Sequence, residues 1–526
     1  MRVLLCPPTF RYANEYPAFL SFSDFPSGFG YLASSLKQAG HEVFGCNPNN
    51  IVGYASAYLM LQDTLLGALA KTKPDLIGLG GLCTDYRFLK DAIGIIRQNS
   101  RIPIVLGGQI VTNDAEFIFK DLKPDFAIVG EGEEPFTSLV DTMTYPMGSV
   151  AMPPNLWYWE PDASAHFTGA DYRYSPIDEL PFPDYEPFGI TRMLDDYSDA
   201  TRVLYRYSRP DARPFNLVAS RSCPYNCSFC IHHHRAIPYR ARSIENVMAE
   251  LKSSYEQYRF NVLILLDELF AVNKQRMDAF SRAILEGRKQ YGWDFDWVFQ
   301  THANARLDGE SLRLAKQAGC YLFSYGLESA SPAVLKSMNK KTNIAQVTET
   351  IKLAEEVGIG FSANLIFGDV AETRATVAES LAFWLKYGVK SDIFMDIVRP
   401  YPGSKLFDIC LERKLIGDKK DYYEHIDEKP INMTNMSYDE FEKILSLLGY
   451  LEKCWLFVRS TTDVNCIMEA KDGLYQTYYG GDYYRIISRC PYCGELTEHK
   501  QLMTGRPFFL GTGCTKCQRK IKVEVQ

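Results

Sequence analysis

The sequence of 526 residues lacks any apolar run long enough to cross a bilayer. A membrane helix needs about 18 consecutive apolar residues, and the longest runs, such as residues 262–266, are much shorter. An excess of positive charge is also missing, because 57 Lys and Arg face 64 Asp and Glu, for a net charge of −7. This balance argues against a broad nucleic-acid-binding surface. Residues 1–6 form too short an apolar stretch for a secretory signal and predict a strand.

Internal repeats and low-complexity tracts are absent as well. Hydrophobic residues make up 46% of the chain and charged residues 23%, which excludes disordered, collagen-like and coiled-coil proteins. The length allows about three or four domains. Fourteen cysteines without a predicted signal indicate a reducing compartment, the cytoplasm, in which thiols serve as metal ligands or core side chains.

The first predicted domain, residues 1–144, alternates short apolar strands with amphipathic helices. This alternation predicts an α/β domain with a doubly wound, Rossmann-like parallel sheet. Ligands bind such sheets beyond the carboxyl ends of the strands, and glycines occur at those ends here, at residues 78–81, 107–108 and 130–132. They permit close approach of a bulky ligand, or they only make tight turns.

The rest of the chain divides by its pattern. Residues 145–212 are rich in Pro, Asp and aromatic residues and predict a linker that wraps over the surface or lines a site. Residues 213–404 contain six strand–helix units, which predict a partial (β/α)6 barrel with its site at the carboxyl ends of the strands. Residues 405–485 predict a helical C-terminal region, and residues 486–526 a small unit with paired cysteines.

Three cysteines lie close together directly after the first barrel strand. Cys223, Cys227 and Cys230 have the spacing C-x3-C-x2-C, with Phe229 between the last two. Three thiolates on one loop can hold three corners of a [4Fe–4S] cluster and leave the fourth iron open. The alternative is a zinc site that takes its fourth ligand from His232–His234. Those histidines could also tune a cluster, act as acid–base groups, or lie solvated on the loop.

Four cysteines near the C-terminus form two pairs, Cys490 with Cys493 and Cys514 with Cys517, in a C-x2-C-x20-C-x2-C arrangement. This spacing predicts a closed structural zinc site in a zinc ribbon, with a rubredoxin-like iron as the alternative. The basic residues of this tail are either solvated surface or a docking site for an RNA, a carrier or a partner; they are Lys516, Arg519, Lys520 and Lys522.

Over about residues 215–402 the sequence resembles the radical S-adenosylmethionine (SAM) superfamily. The resemblance rests on the cysteine spacing and on the blocks at residues 239–243, 265–270, 303–306, 326–329, 364–368 and 400–403. It implies a cluster whose open iron binds SAM. It also implies SAM contacts from Phe229, Asp267, Glu268, Arg306, Glu328, Ser329, Ile366 and Gly368. Two alternatives remain: Glu328 and Arg306 could form a structural ion pair, and Asp267 and Glu268 could cap the next helix.

The first domain resembles the cobalamin-binding domain that precedes many radical SAM enzymes. The match covers residues 26–33, 40–43, 74–84, 105–108 and 129–133. It implies cobalamin contacts from Leu82, Cys83, Thr84, Gly107, Gly108, Gly130 and Glu131. The Asp-x-His-x-x-Gly motif that supplies a cobalt ligand is absent, and we expect His41 to be structural. The domain either binds cobalamin without a histidine or has lost it.

Together the resemblances imply a cobalamin-binding radical SAM enzyme of the class B methyltransferase type. It would cleave SAM to a 5′-deoxyadenosyl radical and C-methylate an unactivated carbon of a small-molecule, peptide or lipid substrate. It would be oxygen-sensitive, with an electron donor such as flavodoxin or ferredoxin. The alternatives are cobalamin-independent radical cyclisation, rearrangement or C–C coupling, as in porphyrin cyclase-like or lipid-modifying relatives, and a non-catalytic binding or electron-transfer protein.

Overall fold

The computed structural model describes residues 1–9, 12, 25–51, 53–145, 151–194, 201, 205–231, 238–388, 391–454, 456–469 and 480–526. The chain folds into two compact units. Unit 1 contains Met1–Met193, Ile231–Arg240 and Tyr401–Lys429, and unit 2 contains Leu194–Cys230, Ala241–Pro400 and Pro430–Gln526. Among the described residues, no helix combines the length and apolarity that a membrane crossing requires.

The elements are numbered in chain order. The strands are β1 Arg2–Cys6, β2 Glu42–Gly45, β3 Leu76–Gly80, β4 Ile104–Gly107, β5 Phe126–Ile128, β6 Leu156–Trp159, β7 Ala165–Phe167, β8 Pro214–Leu217, β9 Ser220–Arg221, β10 Arg240–Ala241, β11 Val262–Leu265, β12 Asp296–Thr301, β13 Cys320–Glu328, β14 Gly360–Phe367, β15 Asp392–Ile397, β16 Arg459–Ser460, β17 Thr462–Glu469, β18 Asp482–Arg489, β19 Leu496–Met503, β20 Phe508–Gly513 and β21 Lys520–Val525. The helices are α1 Ser27–Gln38, α2 Ala57–Thr72, α3 Tyr86–Asn99, α4 Gln109–Leu122, α5 Glu133–Thr142, α6 Ile190–Met193, α7 Ile244–Tyr258, α8 Lys274–Tyr291, α9 Gly309–Gln317, α10 Pro332–Ser337, α11 Ile344–Val357, α12 Arg374–Tyr387, α13 Lys405–Glu412, α14 Lys419–Glu424 and α15 Tyr438–Lys453.

Unit 1 is built on a seven-stranded sheet in the order β2-β1-β3-β4-β5-β6-β7. Strands β1 to β5 pair in parallel, as predicted, and all five residues of β3 are buried because helices cover both faces. Strands β6 and β7 add antiparallel to β5. The prediction of a linker over residues 145–212 is therefore wrong for these strands, which are too short to show alternation in the sequence.

The segment Tyr401–Lys429 belongs to unit 1, although it follows the last strand of unit 2. Its Tyr423 is buried, stacks on Phe117 with ring centroids 5.5 Å apart and packs against Tyr86. The Tyr423 hydroxyl donates a hydrogen bond to Asp114 at 3.2 Å, and Lys419 forms an ion pair with Asp114 at 2.8 Å. This part of the predicted C-terminal region therefore completes the core of unit 1.

Unit 2 is built on a six-stranded parallel sheet in the order β15-β14-β13-β12-β11-β8. Every residue of β8 and β11 is buried, and both strands are apolar apart from Asn216 in β8. The described strands include no pairing of β8 with β15. The six predicted strand–helix units are thus present in an open sheet and not in a closed barrel.

The prediction of a helical region over residues 405–485 is wrong beyond Lys453. Residues 459–469 and 482–489 are strands, and β17-β18-β19 and β16-β21-β20 form two small sheets. The error has a physical reason: β17 is mostly exposed on both faces, so its sequence lacks the alternation that marks a half-buried strand. Its strand form depends on antiparallel pairing with β18, the next strand along the chain.

The small sheets pack against the amino-terminal end of the six-stranded sheet. Lys520 of β21 forms an ion pair with Asp392, the first residue of β15, and Arg206 lies 3.4 Å from the same carboxylate. The Gly513 N–H donates to the Arg206 carbonyl at 3.2 Å. A Cβ at Gly513 would lie 1.9 Å from the buried Tyr207 ring, so this contact requires glycine. The functional site predicted at the carboxyl ends lies at the other end of the sheet.

Candidate active site

The loop of residues 223–230, which we call the cysteine loop, follows β9 at the carboxyl end of the first strand of unit 2. Ser222 turns the chain into it with a positive φ of +66°. All three thiols are partly exposed. Burial raises the pKa of Cys223 and of Cys227 above the ordinary thiol value. Three sulfur donors therefore lie partly exposed on one loop.

The Glu328 carboxylate at the end of β13 lies in a buried polar network. One oxygen accepts a hydrogen bond from Lys340 at 3.0 Å, and the other accepts one from Asn364 at 2.8 Å. The Lys340 ammonium also lies 6.0 Å from the centroid of the Phe229 ring in the cysteine loop. The proposed alternative of a Glu328–Arg306 ion pair is wrong, since Arg306 is exposed and Lys340 is the cation that pairs with Glu328.

Asp267, at the end of β11, is buried and binds the backbone that precedes the cysteine loop. Its carboxylate accepts hydrogen bonds from the Ala219 N–H at 3.1 Å and from the Ser220 hydroxyl. Burial raises the pKa of Asp267 to about 6. These contacts direct Asp267 towards the base of the loop.

Its neighbour Glu268 is only partly buried, and its negative charge contributes to the raised pKa of Cys223. Glu268 is therefore the acidic side chain of β11 that lies close to the cysteines. The alternative that Asp267 and Glu268 cap the next helix is wrong, because Asn273 caps α8 by accepting from the Arg276 N–H at 3.0 Å.

The remaining residues predicted to contact SAM occupy the ends of β13 and β14. Ser329 is buried, and its hydroxyl lies 3.2 Å from that of Ser380, so it points into the supporting structure. Ile366 is half-buried, and Gly368 is buried with a φ of +104°. The Gly368 N–H donates to the Glu372 carboxylate at 3.3 Å. Burial raises the pKa of Glu372 to about 7. His232–His234 lie outside the described residues.

The glycines of unit 1 line the carboxyl edge of its sheet at β3 and β4. Gly108 has a φ of +87°, and a Cβ there would lie 2.6 Å from the Gly81 carbonyl oxygen, so the two turns pack backbone to backbone. A Cβ at Gly107 would meet nothing within 4 Å. Leu82 is 49% exposed beside them, which leaves an open, apolar edge.

The other residues predicted to contact cobalamin divide between core and surface. Cys83 is buried, and burial raises its pKa to about 12, whereas Thr84 is partly exposed. Gly130 has a φ of +86°, and a Cβ there would lie 2.6 Å from the Tyr174 hydroxyl oxygen, so this position requires glycine. Glu131 forms an ion pair with Arg240. The His41 side chain is 7% exposed and its Nε2 lies 3.1 Å from Asp141, contacts that suit the structural role we expect.

The C-terminal cysteines bring their four sulfur atoms within 4.8 Å of one another. The Sγ atoms of Cys490 and Cys517 are 3.7 Å apart, and so are those of Cys493 and Cys514. Sulfur atoms ~2.3 Å from a central zinc ion lie about 3.8 Å apart in a tetrahedron. The donor set thus has the size of a tetrahedral metal site.

Two similar turns produce this geometry. The Gly494 N–H donates to the Cys490 carbonyl at 3.0 Å, and the Gln518 N–H donates to the Cys514 carbonyl at the same distance. Both Gly494 and Gln518 have positive φ angles. The basic residues of this tail each form an ion pair: Lys516 with Glu495, Arg519 with Glu355, Lys520 with Asp392 and Lys522 with Glu524. Each of these charges therefore has an acidic neighbour within unit 2, and docking of an RNA, a carrier or a partner stays a prediction.

Two protein families match this chain. Residues 217–383 match the radical SAM superfamily, and residues 24–140 match the B12-binding domain. The chain belongs to the B12-binding radical SAM enzymes. Its cofactors are therefore a [4Fe–4S] cluster, SAM and cobalamin.

Several known proteins are similar to this chain. An uncharacterised methyltransferase of Pyrococcus horikoshii is 28% identical over 398 residues, which cover 74% of this chain and 79% of that protein. An anaerobic magnesium-protoporphyrin IX monomethyl ester cyclase of Rubrivivax gelatinosus is 26% identical over 81% of this chain and 71% of that protein. The structure of the radical SAM methyltransferase TsrM from Kitasatospora setae, with cobalamin and a [4Fe–4S] cluster, has a TM-score of 0.59 at 16% identity, covering 79% and 78% of the two chains. This last likeness shows the fold.

The side chains fit the cofactors of this family. Three partly exposed thiols on one loop suit a cluster with an open iron, and the buried Lys340–Glu328 pair beside them offers both charges to a zwitterionic amino acid group. The open edge at Gly107 and Leu82 can accept a large corrinoid. The sequence analysis missed Lys340, whose position just beyond α10 carried no chemical signal, and it gave Asn364 no role of its own within the block at residues 364–368.

Proposed function

We propose that this enzyme C-methylates an unactivated carbon by radical chemistry. The proposal rests on one observation: the chain combines a B12-binding domain with a radical SAM domain. The cysteine loop of the radical SAM domain lies at the carboxyl end of its sheet. When bound, the cluster supplies the electron that cleaves SAM to a 5′-deoxyadenosyl radical, and cobalamin supplies a methyl group. The name of the Pyrococcus relative supports methyl transfer.

The chain's own residues bind and orient. Cys223, Cys227 and Cys230 would ligate the cluster. Glu328 would accept a hydrogen bond from SAM, while Lys340 and Asn364 hold its carboxylate in one orientation. Burial of this network excludes water from the place where the radical forms.

A second set of residues would contact SAM from neighbouring strands. Glu268 faces the cysteine loop, and Arg306 is exposed at the end of the short helix Ala303–Ala305. Ile366 and Gly368 would face the adenine. Asp267 and Ser329 support these residues from behind, since their polar atoms bind protein groups.

Cobalamin would lie on the carboxyl edge of unit 1, against Leu82, Thr84, Gly107, Gly108, Gly130 and Glu131, with Cys83 in the core behind them. None of these residues is a histidine. Cobalt would therefore be bound here without a histidine ligand from this set.

The test is anaerobic reconstitution with iron, sulfide and hydroxocobalamin, followed by desalting and addition of SAM and a strong reductant. We expect retained corrinoid in the visible spectrum, together with 5′-deoxyadenosine and S-adenosylhomocysteine by mass spectrometry. Deoxyadenosine without retained corrinoid would favour radical cyclisation, rearrangement or coupling, the reaction type to which the Rubrivivax relative's name points. Absence of both products would overturn an enzymatic role.

A paired substitution tests the cobalamin edge. Gly107→Leu places a side chain into open space at that edge, and Gly94→Leu places one into open space on α3. We expect Gly107→Leu to lose corrinoid retention while it still cleaves SAM, and Gly94→Leu to retain corrinoid. Equal retention in the two variants would place cobalamin elsewhere.

We further propose a structural zinc ion in a zinc ribbon at Cys490, Cys493, Cys514 and Cys517, because four thiolates at tetrahedral spacing leave no position open for substrate. Elemental analysis should find one zinc per chain. A red protein with one additional iron per chain would instead identify a rubredoxin-like centre.

For partners, we propose a flavodoxin or ferredoxin as electron donor, a substrate drawn from small molecules, peptides or lipids, and no nucleic-acid partner. The compartment would be the cytoplasm, because free thiols and an oxygen-sensitive cluster need reducing surroundings. Reduction of the cluster by purified flavodoxin and its reductase, without dithionite, would test the donor.

A further inference from the structure

The cysteine loop has little structure of its own. No helix or strand occurs within residues 223–230, and inside the loop a backbone hydrogen bond joins the Cys230 N–H to the Cys227 carbonyl at 3.2 Å. A loop of this kind does not fix the positions of three sulfur atoms by itself. Its geometry must come from contacts with other parts of unit 2.

One short segment supplies most of these contacts. We call residues 338–342, between α10 and α11, the brace segment. The Met338 carbonyl accepts a hydrogen bond from the Ser228 N–H at 2.9 Å. The Asn339 side-chain amide donates to the Asn226 carbonyl at 2.7 Å. Backbone groups on both sides of Cys227 are thereby fixed to adjacent residues of the brace segment.

The other end of the brace segment reaches the loop through a histidine. The Thr342 hydroxyl lies 3.4 Å from His302 Nε2, and His302 Nδ1 accepts from the Asn304 N–H at 3.1 Å. The His302 ring stacks on Tyr225 with centroids 4.2 Å apart and planes inclined by 23°. Burial lowers the pKa of His302 to about 3, so the ring is neutral. Because Nδ1 accepts from the Asn304 N–H, Nε2 carries the ring proton and donates to the Thr342 hydroxyl oxygen.

The same segment carries Lys340, whose ammonium binds Glu328 and lies over the Phe229 ring. The loop that would hold the cluster and the network that would hold SAM are thus attached to one five-residue piece of backbone. A displacement of the brace segment would move both together.

We propose that Asn339 and His302 are positioning residues that set the geometry of the cluster through the brace segment and the Tyr225 ring. Neither residue touches a cysteine or the SAM network in the contacts described, so each acts through another group. The inference rests on the proposed radical SAM function for its activity readout, but its spectroscopic readout needs only a bound cluster.

The test compares substitutions at Asn339 with a matched control. Asn339 has a φ of +50°, so Asn339→Gly removes the side-chain hydrogen bond without adding backbone strain. Asn339→Asp keeps the size and removes the donor. The control is Asn343→Ala, which removes the N-cap of α11 a few residues further on, where the Asn343 side chain accepts from the Ala345 N–H. The control destabilises the same region without touching the cysteine loop.

We expect Asn339→Gly and Asn339→Asp to retain cluster iron, to shift the electron paramagnetic resonance signal of the reduced cluster, and to slow 5′-deoxyadenosine formation about two- to tenfold, the value of one hydrogen bond. The KM for SAM should remain unchanged. Asn343→Ala should lower the melting temperature and leave the signal and rate as in the wild type.

At the second position, His302→Phe keeps a flat ring against Tyr225 but loses the hydrogen bond to Thr342, so it should shift the signal less than His302→Ala, which loses both contacts. A wild-type signal in both Asn339 variants, or an equal change in Asn343→Ala, would overturn the proposal. An effect confined to the KM for SAM would also overturn it, because Asn339 would then act through Lys340. If the wild-type protein shows a cluster signal and no deoxyadenosine, the proposed function fails and the spectroscopic comparison still decides the inference.

Discussion

The two groups of cysteines differ in how their sulfur atoms are positioned. The C-terminal group is self-contained: two similar turns bring four sulfur atoms within 4.8 Å of one another, each turn closed by its own backbone hydrogen bond. The cysteine loop of unit 2 has three partly exposed thiols and depends on residues more than 70 positions away in the chain, such as His302 and Asn339. A site that only stabilises a fold can be built locally. A site that keeps one coordination position open for chemistry relies on its surroundings for its shape.

The largest expected effect is the loss of activity when a cysteine of the cysteine loop is replaced. Cys227→Ser should abolish cluster binding and deoxyadenosine formation, because a serine hydroxyl does not replace a thiolate ligand. The melting temperature should change little, since the loop buries few side chains. Cys466→Ser, at a partly exposed cysteine outside both groups, is the control and should remain active. Cluster absorbance and mass spectrometry provide the measurements. Full activity of Cys227→Ser would remove that thiol from the proposed cluster.

The next largest expected effect is a loss of stability when a cysteine of the C-terminal group is replaced. Cys514→Ser should release the metal and unfold the small sheets β17–β21, because a bound structural zinc contributes on the order of 10 kcal/mol to the folding of such units. Hydrogen exchange should show loss of protection over residues 480–526. The cluster should remain in the cysteine loop below the melting temperature. Unchanged protection in the metal-free variant would show that the two sheets are stable without the metal.

A smaller effect concerns the attachment of these sheets to the rest of unit 2. Gly513→Ala places a Cβ against the Tyr207 ring and should cost about 1–3 kcal/mol of unfolding free energy through overpacking. Gly505→Ala, where a Cβ meets nothing within 4 Å, is the matched control. Denaturant unfolding of the two variants measures the difference. Equal stability would mean that Tyr207 moves aside without cost.

The smallest effect is a pH dependence at the cysteine loop. The pKa of His302 in the folded protein, about 3, lies below the ordinary value, because burial disfavours the charged ring and the Lys340 charge adds to this effect. Its stabilising contribution is therefore complete at high pH and is lost as the pH falls below about 6.5. Between pH 7.5 and 6.0 the loss should be about 0.8 kcal/mol.

His302→Phe should lack this part of the pH dependence. Denaturant unfolding of both proteins at the two pH values measures it, and groups other than His302 cancel in the difference between wild type and variant. Identical slopes would mean that His302 is not shielded from water in the folded state.

The parts of this molecule that the sequence predicts are those with local signals. Continuous apolar runs predicted the strands from β1 to β5 and the six strands of unit 2 to within a few residues, because a parallel strand buried on both faces has no polar positions. The spacing of the C-terminal cysteines likewise predicted a four-sulfur site, since each pair needs only a four-residue turn.

The parts that the sequence did not predict depend on distant partners. The alternative in which Glu328 pairs with Arg306 is wrong because its cation is Lys340, which approaches only after the chain passes through α10. The alternative in which Asp267 caps a helix is wrong because its oxygens bind Ala219 and Ser220 of a neighbouring strand connection. Such pairings follow from the order of strands in the sheet, and no spacing within one segment reveals them. The contacts of Glu328 and Asp267 with SAM stay predictions.

The return of Tyr401–Lys429 to unit 1 affects how the protein is made. A ribosome that has finished the first 193 residues has not yet synthesised Tyr423, which fills the core beside Phe117 and Tyr86. The fold of unit 1 therefore cannot be completed until more than 400 residues have been translated, and an apolar face stays uncovered until then. A cobalamin domain excised near residue 145 should expose the same apolar face. Joining Tyr401–Lys429 to it through a designed linker should cover that face.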